Sequence, residues 1–315
     1  MNFLITGGGG YIATKLALFI KSIGEDVTLV TRNPEKLKKE LPQVTIYKIK
    51  WDDDNNIMDL CDNIDVIIHL AGVNAKNSVI DPFRAWNFNA QTTNRFIKIA
   101  INKKVRRFIY FSTAHVYSGN LSGLITEKSD TNGYHPYAYT NRMAESYVLD
   151  AGRGGKIESI VIRLANSYGA PVFKEIDCWE LLINGLCREV IEKNRLTLKS
   201  NGTQHRDFIP IEEVCKASYF LSKINFSTSI KAEIYNIGSG TSTSILEIAK
   251  IVKTRAKKLW EVNIPITKPI YSIKENKQEP FQYSNEKLRK LGFKIDNSLE
   301  TNIDNLLMSC KVFFT

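Results

Sequence analysis

Short apolar runs rich in β-branched residues recur along the first half of the chain: NFLIT, DVTLVT, VTIYKI, DVIIHLA, RRFIYFS and ESIVIRLA. Their hydrophobicity is nearly continuous rather than alternating, the pattern of strands covered on both faces in a parallel sheet. Between them, stretches such as 11–23 and 83–102 carry apolar residues at helical spacing. Strand and helix patterns in alternation predict βαβ units and an α/β fold over residues 1–165. After residue 166 the pattern loosens. RDFIPIEEVCKASYFL and AEIYNIGSG read as further sheet elements, so strands around 206–236 are expected to join the first domain. The remainder of 166–315 reads as a smaller mixed α/β lobe, interleaved with it. Polar stretches with Gly or Pro at 118–135 and 272–284 read as loops.

Composition narrows the class. A chain of 315 residues with 43% apolar residues suits one large α/β domain and an appended lobe. No apolar run approaches the roughly 20 residues needed to cross a bilayer, and MNFLITGG has no basic region or cleavage site of a signal peptide. A cytoplasmic protein without membrane partners is expected. Five cysteines without a CxxC pair, and four histidines without clustered spacing, predict no metal site. The net charge of +10 raises nucleic acid as a partner. However, basic residues alternate with acids, and the clusters KLKKE and NKKVRR fall at surface positions, so no nucleic-acid partner is expected. A positive bias also suits a doubly anionic nucleotide substrate.

The turn ITGGGGYIATKL follows the first strand and opens the first helix. Gly7 and Gly10 are spaced for a dinucleotide-binding turn, with Ala13 where a third glycine often falls. The glycines let backbone approach a pyrophosphate, and the helix start supplies a positive dipole end. This predicts a Rossmann-type doubly wound sheet. The second strand ends VTLVTRN, where an NAD site usually has an acid for the ribose hydroxyl. Arg32 stands there instead, and a guanidinium suits a 2′-phosphate. NADP is therefore expected as cofactor, with NAD as the alternative.

At this point the chain resembles an extended short-chain dehydrogenase/reductase of the nucleotide-sugar epimerase/dehydratase family. The resemblance rests on TGGGGYIA, IIHLAG, FSTAHVYS, HPYAYTN, RLANSYGAP, RDFIPIEEV and YNIGSG, in that order. It implies a nicotinamide cofactor in the N-terminal domain, a nucleotide-diphospho-sugar substrate, a homodimer and a place in polysaccharide biosynthesis. Residue by residue, it implies that Gly7, Gly10, Tyr11 and Ile12 meet the cofactor at the first turn. Leu70, Ala71 and Gly72 line it at the fourth strand, and Asn89 is the helix asparagine that supports the sheet. Lys50, Trp51 or Asp52 stands at the adenine edge, where the usual acid is missing. Thr113 holds the sugar oxygen and Tyr137 moves a proton. Asn166 and Arg206 face the nucleotide diphosphate, and Lys277 replaces an arginine used against the second phosphate. Ala114 and His115 stand where sugar 4,6-dehydratases carry an acid pair, which disfavours dehydration. His115 is a candidate base, with an ordinary pKa of about 6.5.

One departure sets the direction of the chemistry. Family members place a lysine four residues after the tyrosine, and this chain has Asn141. A tyrosine with a pKa of about 10 needs about 4 kcal/mol of help to accept a proton at neutral pH. An ammonium about 5 Å away supplies about 3 kcal/mol of it at an effective dielectric near 20. Asn141 supplies no charge, although it keeps the ability to hydrogen-bond a nicotinamide ribose. A protonated Tyr137 is a usable acid and a poor base. Reduction of a keto-sugar by NADPH is the first reading. A 4-epimerase that retains its cofactor is the second, and a cofactor-binding scaffold or sensor without catalysis is the third.

Overall fold

The computed structural model describes residues 1–117, 121–226, 231–269, 279–296 and 298–315. The apolar runs become strands β1 (Asn2–Thr6), β2 (Asp26–Thr31), β3 (Thr45–Lys48), β4 (Val66–His69), β5 (Arg107–Thr113), β6 (Glu158–Leu164) and β7 (Ala232–Ile237). They form one sheet in the order β7-β6-β5-β4-β1-β2-β3. The pairs β1–β2, β1–β4, β2–β3, β4–β5 and β5–β6 are parallel. Val66, Ile67, Ile68, Phe108, Ile109, Ile160, Val161 and Ile162 are buried, which explains why these runs lack alternation: helices cover both faces.

The helices that matter for the site are α1 (Tyr11–Ser22), α2 (Thr93–Asn102) and α3 (Pro136–Arg153). The expected helix over 83–102 is three pieces: a turn at Pro82–Ala85, a π-helix at Trp86–Thr92, then α2. Strand order reverses at β1, with β4 on one side and β2 on the other. In open α/β sheets, ligands bind beyond the strand ends at such a reversal.

The chain divides into two compact units. The first comprises residues 1–119, 127–164 and 215–236, and the second 120–126, 165–214 and 237–315. Of the later segments expected beside the first domain, Ala232–Ile237 lies next to β6. His205–Pro210 instead forms the middle of a separate three-stranded sheet, between Asn166–Tyr168 and Ser242–Ser244. Its local pattern is that of any buried strand, and pattern alone does not choose a partner. The second unit packs helices α4 (Leu182–Lys193), α5 (Ile245–Trp260) and α6 (Leu299–Phe314) around its own core, including Ile183, Leu186, Ile248, Val252, Ile303 and Leu307. Ser244 and Glu247 cap α5 reciprocally. Parts of the expected loops are ordered: Gly123–Ile125 and Phe281–Tyr283 pair as short parallel strands. Two three-residue edges far apart in sequence leave no periodic signal, so the pairing was invisible before folding.

Candidate active site

The glycine turn brings two strand ends together. Gly7 has φ +78°, and a Cβ there would lie 3.0 Å from the Leu70 carbonyl carbon and the Ala71 nitrogen. Only glycine fits such an approach in such a conformation. Gly9 and Gly10 are exposed, and Gly10 caps α1 without any side-chain hydrogen bond. Exposed glycine backbone before a twelve-residue helix start suits an anionic group such as a pyrophosphate. Tyr11 is buried and Ile12 half-buried behind the turn. Leu70 and Ala71 are half-buried, while Gly72 and Arg32, just past the ends of β4 and β2, are exposed. Of the residues left open at the adenine edge, Lys50 and Asp52 are both exposed. The half-buried Trp51 indole packs edge-on against His69, Phe88 and Phe96, with centroids 5.5–5.8 Å away. Asn89 sits in the π-helix. Its Oδ1 accepts from Val73 N at 2.6 Å and its Nδ2 donates to Val73 O at 3.3 Å, gripping the segment after Gly72.

The end of β5 and the start of α3 bring the proposed catalytic groups together. Helix α3 begins because His135 accepts Tyr137 N through its ring Nδ1 at 3.1 Å, with Pro136 in the first turn. The preceding segment runs hard against the β5 end. A Cβ on Gly133 would lie 2.2 Å from the His115 carbonyl oxygen, so no other residue fits. In this arrangement Tyr137 and the Thr113 hydroxyl are hydrogen-bonded. Thr113 Oγ1 also accepts from His115 N at 3.2 Å. The His115 ring is exposed and lies edge-on to Tyr137, centroids 6.0 Å apart. Burial of the phenol raises the Tyr137 pKa above its ordinary value, and the Thr113 hydrogen bond only partly offsets this.

Asn141 is buried and committed. Its Oδ1 accepts from Tyr110 OH at 2.8 Å, and its Nδ2 donates to the Tyr137 carbonyl at 2.7 Å. One turn on, Glu145 accepts from Ser112 and from Arg163, whose Nη2 lies 2.7 Å away. Both members of that ion pair are almost fully buried, and Arg163 also lies 4.7 Å over the Tyr117 ring. The pairing is metrical. Residues two apart on a strand rise about 6.6 Å, and residues four apart on a helix about 6 Å, so Tyr110 and Ser112 meet Asn141 and Glu145 in register. The 110 and 112 positions and the 141 and 145 positions carry this signal in the sequence. Tyr110, Gly133 and Glu145 were nevertheless missed, because the family motif draws attention to 113, 137 and 141 alone.

In the second unit, Asn166 Nδ2 donates to the Asp207 carbonyl at 3.0 Å. Arg206 is exposed and lines a cavity of about 710 Å³ with Trp179, Arg188, Lys193, Lys199 and Gln204. Lys277 lies outside the described residues. Among the described residues there is no cluster able to hold a metal ion, and no helix is long and apolar enough to cross a membrane.

The chain is similar to characterised proteins over most of its length. It is 27% identical to a UDP-glucose 4-epimerase of Mycoplasma genitalium over 271 residues, covering 79% of each chain. It is 28% identical to a dTDP-D-glucose 4,6-dehydratase of Mus musculus over 262 residues, covering 78% of this chain and 70% of that one. Its fold matches a UDP-glucose 4-epimerase of Thermotoga maritima, solved with UDP-glucose, with a TM-score of 0.84 over 100% of both chains at 20% identity. The model of the NAD dependent epimerase/dehydratase family matches residues 3–238, and the chain belongs to that family.

Proposed function

We propose that this protein reduces the carbonyl of a nucleotide-activated keto-sugar, such as a 4-keto-6-deoxy sugar, with NADPH. The nicotinamide, when bound, supplies the hydride that attacks the carbonyl carbon. Thr113 orients the carbonyl oxygen. Tyr137 donates its phenolic proton to that oxygen as the C=O bond becomes C–O–H, and solvent returns a proton to the phenolate. The single observation that carries this reading is the state of Tyr137: partnered by a neutral Thr113, raised in pKa by burial, and followed one turn later by Asn141 instead of a cation. Such a phenol holds its proton until the carbonyl takes it. Gly7, Gly10, Tyr11, Ile12, Leu70, Ala71, Gly72 and Asn89 would hold the cofactor, with Trp51 as the aromatic on the adenine side. Arg32 favours a 2′-phosphate there. Asn166, Arg206 and Lys277 would meet the nucleotide diphosphate.

A second reading, a 4-epimerase, is favoured by the relatives named UDP-glucose 4-epimerase. The experiment that separates the two offers a panel of nucleotide sugars and nucleotide keto-sugars. A reductase consumes NADPH in proportion to keto-sugar. An epimerase converts one sugar into its epimer with no net consumption of added cofactor, and that outcome would replace the first reading.

A further inference from the structure

His69 ends β4, and its imidazole is buried between two threonines. Nδ1 lies 2.8 Å from Thr6 Oγ1, and Nε2 lies 3.0 Å from Thr93 Oγ1. The direction of each bond follows from what a hydroxyl can do: it has one proton to give and two lone pairs. Thr93 gives its proton to the Asn89 carbonyl at 2.7 Å, so toward His69 its oxygen accepts and Nε2 carries hydrogen. Thr6 Oγ1 already accepts from Leu70 N and Ala71 N, both at 3.1 Å, so its proton points at Nδ1. The ring is therefore neutral and protonated at Nε2. Trp51, Phe96, Phe108 and Tyr110 surround it at centroid distances of 5.2–5.9 Å.

The path continues past the ring. Asn89 Nδ2 donates to Thr140 Oγ1 at 3.0 Å, and the Thr140 hydroxyl donates to the Tyr137 carbonyl at 3.2 Å. Two directed runs of hydrogen bonds thus meet at Asn89, one from the backbone beside Gly7 to the Asn89 carbonyl and one from the Asn89 side chain to the first turn of α3. We propose that His69 is a positioning residue that couples the glycine turn, through Asn89, to the helix carrying Tyr137, its single tautomer setting the polarity of the run that ends on the Asn89 carbonyl. The part of this inference that concerns cofactor rests on the function proposed above; the coupling itself does not. Burial alone, which pushes the His69 pKa down to about 3, keeps the ring neutral but would permit either tautomer. The threonines select one.

The test uses the full chain with Thr93→Val, which removes both the acceptor of Nε2–H and the donor to Asn89, and Thr93→Ser, which keeps both. Imidazole nitrogen NMR on the parent is expected to show one non-titrating histidine with hydrogen on Nε2. In Thr93→Val, amide exchange is expected to rise about fivefold, the scale of one hydrogen bond, in both 70–73 and 137–141. NADPH binding is expected to weaken by a similar factor, and Thr93→Ser to restore all three. Thr140→Val, at the far end of the path, provides a second variant and is expected to loosen 70–73 without touching the tautomer. Hydrogen on Nδ1 in the parent, exchange confined to the neighbourhood of the substituted residue, or no rescue by serine would overturn the coupling. A parent that binds no nicotinamide cofactor would defeat the proposed function instead, and the tautomer and exchange results would still decide the role of His69.

Discussion

Asn141 donates to the backbone carbonyl of Tyr137, and what stands one turn after the tyrosine decides when it gives up its proton. Asn141 is held by Tyr110 and offers no charge. Replacing Tyr137 with Phe removes the proposed acid, and turnover of a keto-sugar is expected to fall by about two to four decades. Turnover within threefold of the parent would take Tyr137 out of the mechanism and leave His115, edge-on to it, as the next candidate. Asn141→Lys restores an ammonium about 5 Å away, worth about two pKa units on Tyr137. The sign is downward: the high-pH limb of reduction should move to lower pH, and alcohol oxidation at neutral pH should speed up. Tyr110 would share that cation, so the double change Tyr110→Phe with Asn141→Lys should move the limb further than Asn141→Lys alone. Superimposed pH–rate profiles for parent and both variants would mean that charge at 141 does not reach the phenol. Arg32 predicts a cofactor preference by the same electrostatics. Arg32→Ala should remove about 1.5–3 kcal/mol of NADPH affinity and leave NADH unchanged, as read from the two dissociation constants.

Between strands and helices, the matched spacing of β5 and α3 places a buried Glu145–Arg163 pair directly beneath the site. Glu145→Gln strands the Arg163 cation, and a loss of about 3–5 kcal/mol in denaturant unfolding is expected. β4 ends on a histidine that folding keeps neutral, with a pKa near 3 against about 6.5 in the unfolded chain. As pH falls below about 6.5 the unfolded chain takes up a proton that the folded chain refuses. Stability from this group is therefore complete above that value and is lost toward pH 3, by about 3 kcal/mol between pH 6.5 and 4. His69→Asn should flatten that part of the pH dependence; an unchanged slope would show that other groups cause it. Much of this architecture was legible beforehand. Six of the seven strands of the main sheet stood out as continuous apolar runs, and the glycine turn, Thr113 and Tyr137 stood out by motif. The partnership of Tyr110 with Asn141 was not, because a buried tyrosine on a strand reads simply as core. Nor was the π-helix, since its wider turn depends on Asn89 gripping Val73, a contact set by tertiary packing. The short strands at Gly123–Ile125 and Phe281–Tyr283 escaped for a different reason: each pairs with a partner far away in the sequence.

At the scale of the molecule, the sheet is not built from one continuous stretch. Its last strand, β7, comes from residues 232–237, after the chain has contributed 165–214 to the second unit. During synthesis β6 is finished long before its neighbour exists. At about 5–20 residues per second, the roughly 70 intervening residues take on the order of 4–15 s to emerge. Throughout that interval the newborn domain presents the outer edge of β6, a strand whose residues Ser159–Leu164 are all buried once folding is complete. An open apolar edge of that kind recruits other strands. Nascent chains halted after residue 165 are therefore expected to bind chaperones or to self-associate, and those halted after residue 237 to do so far less, as arrested ribosome complexes can report.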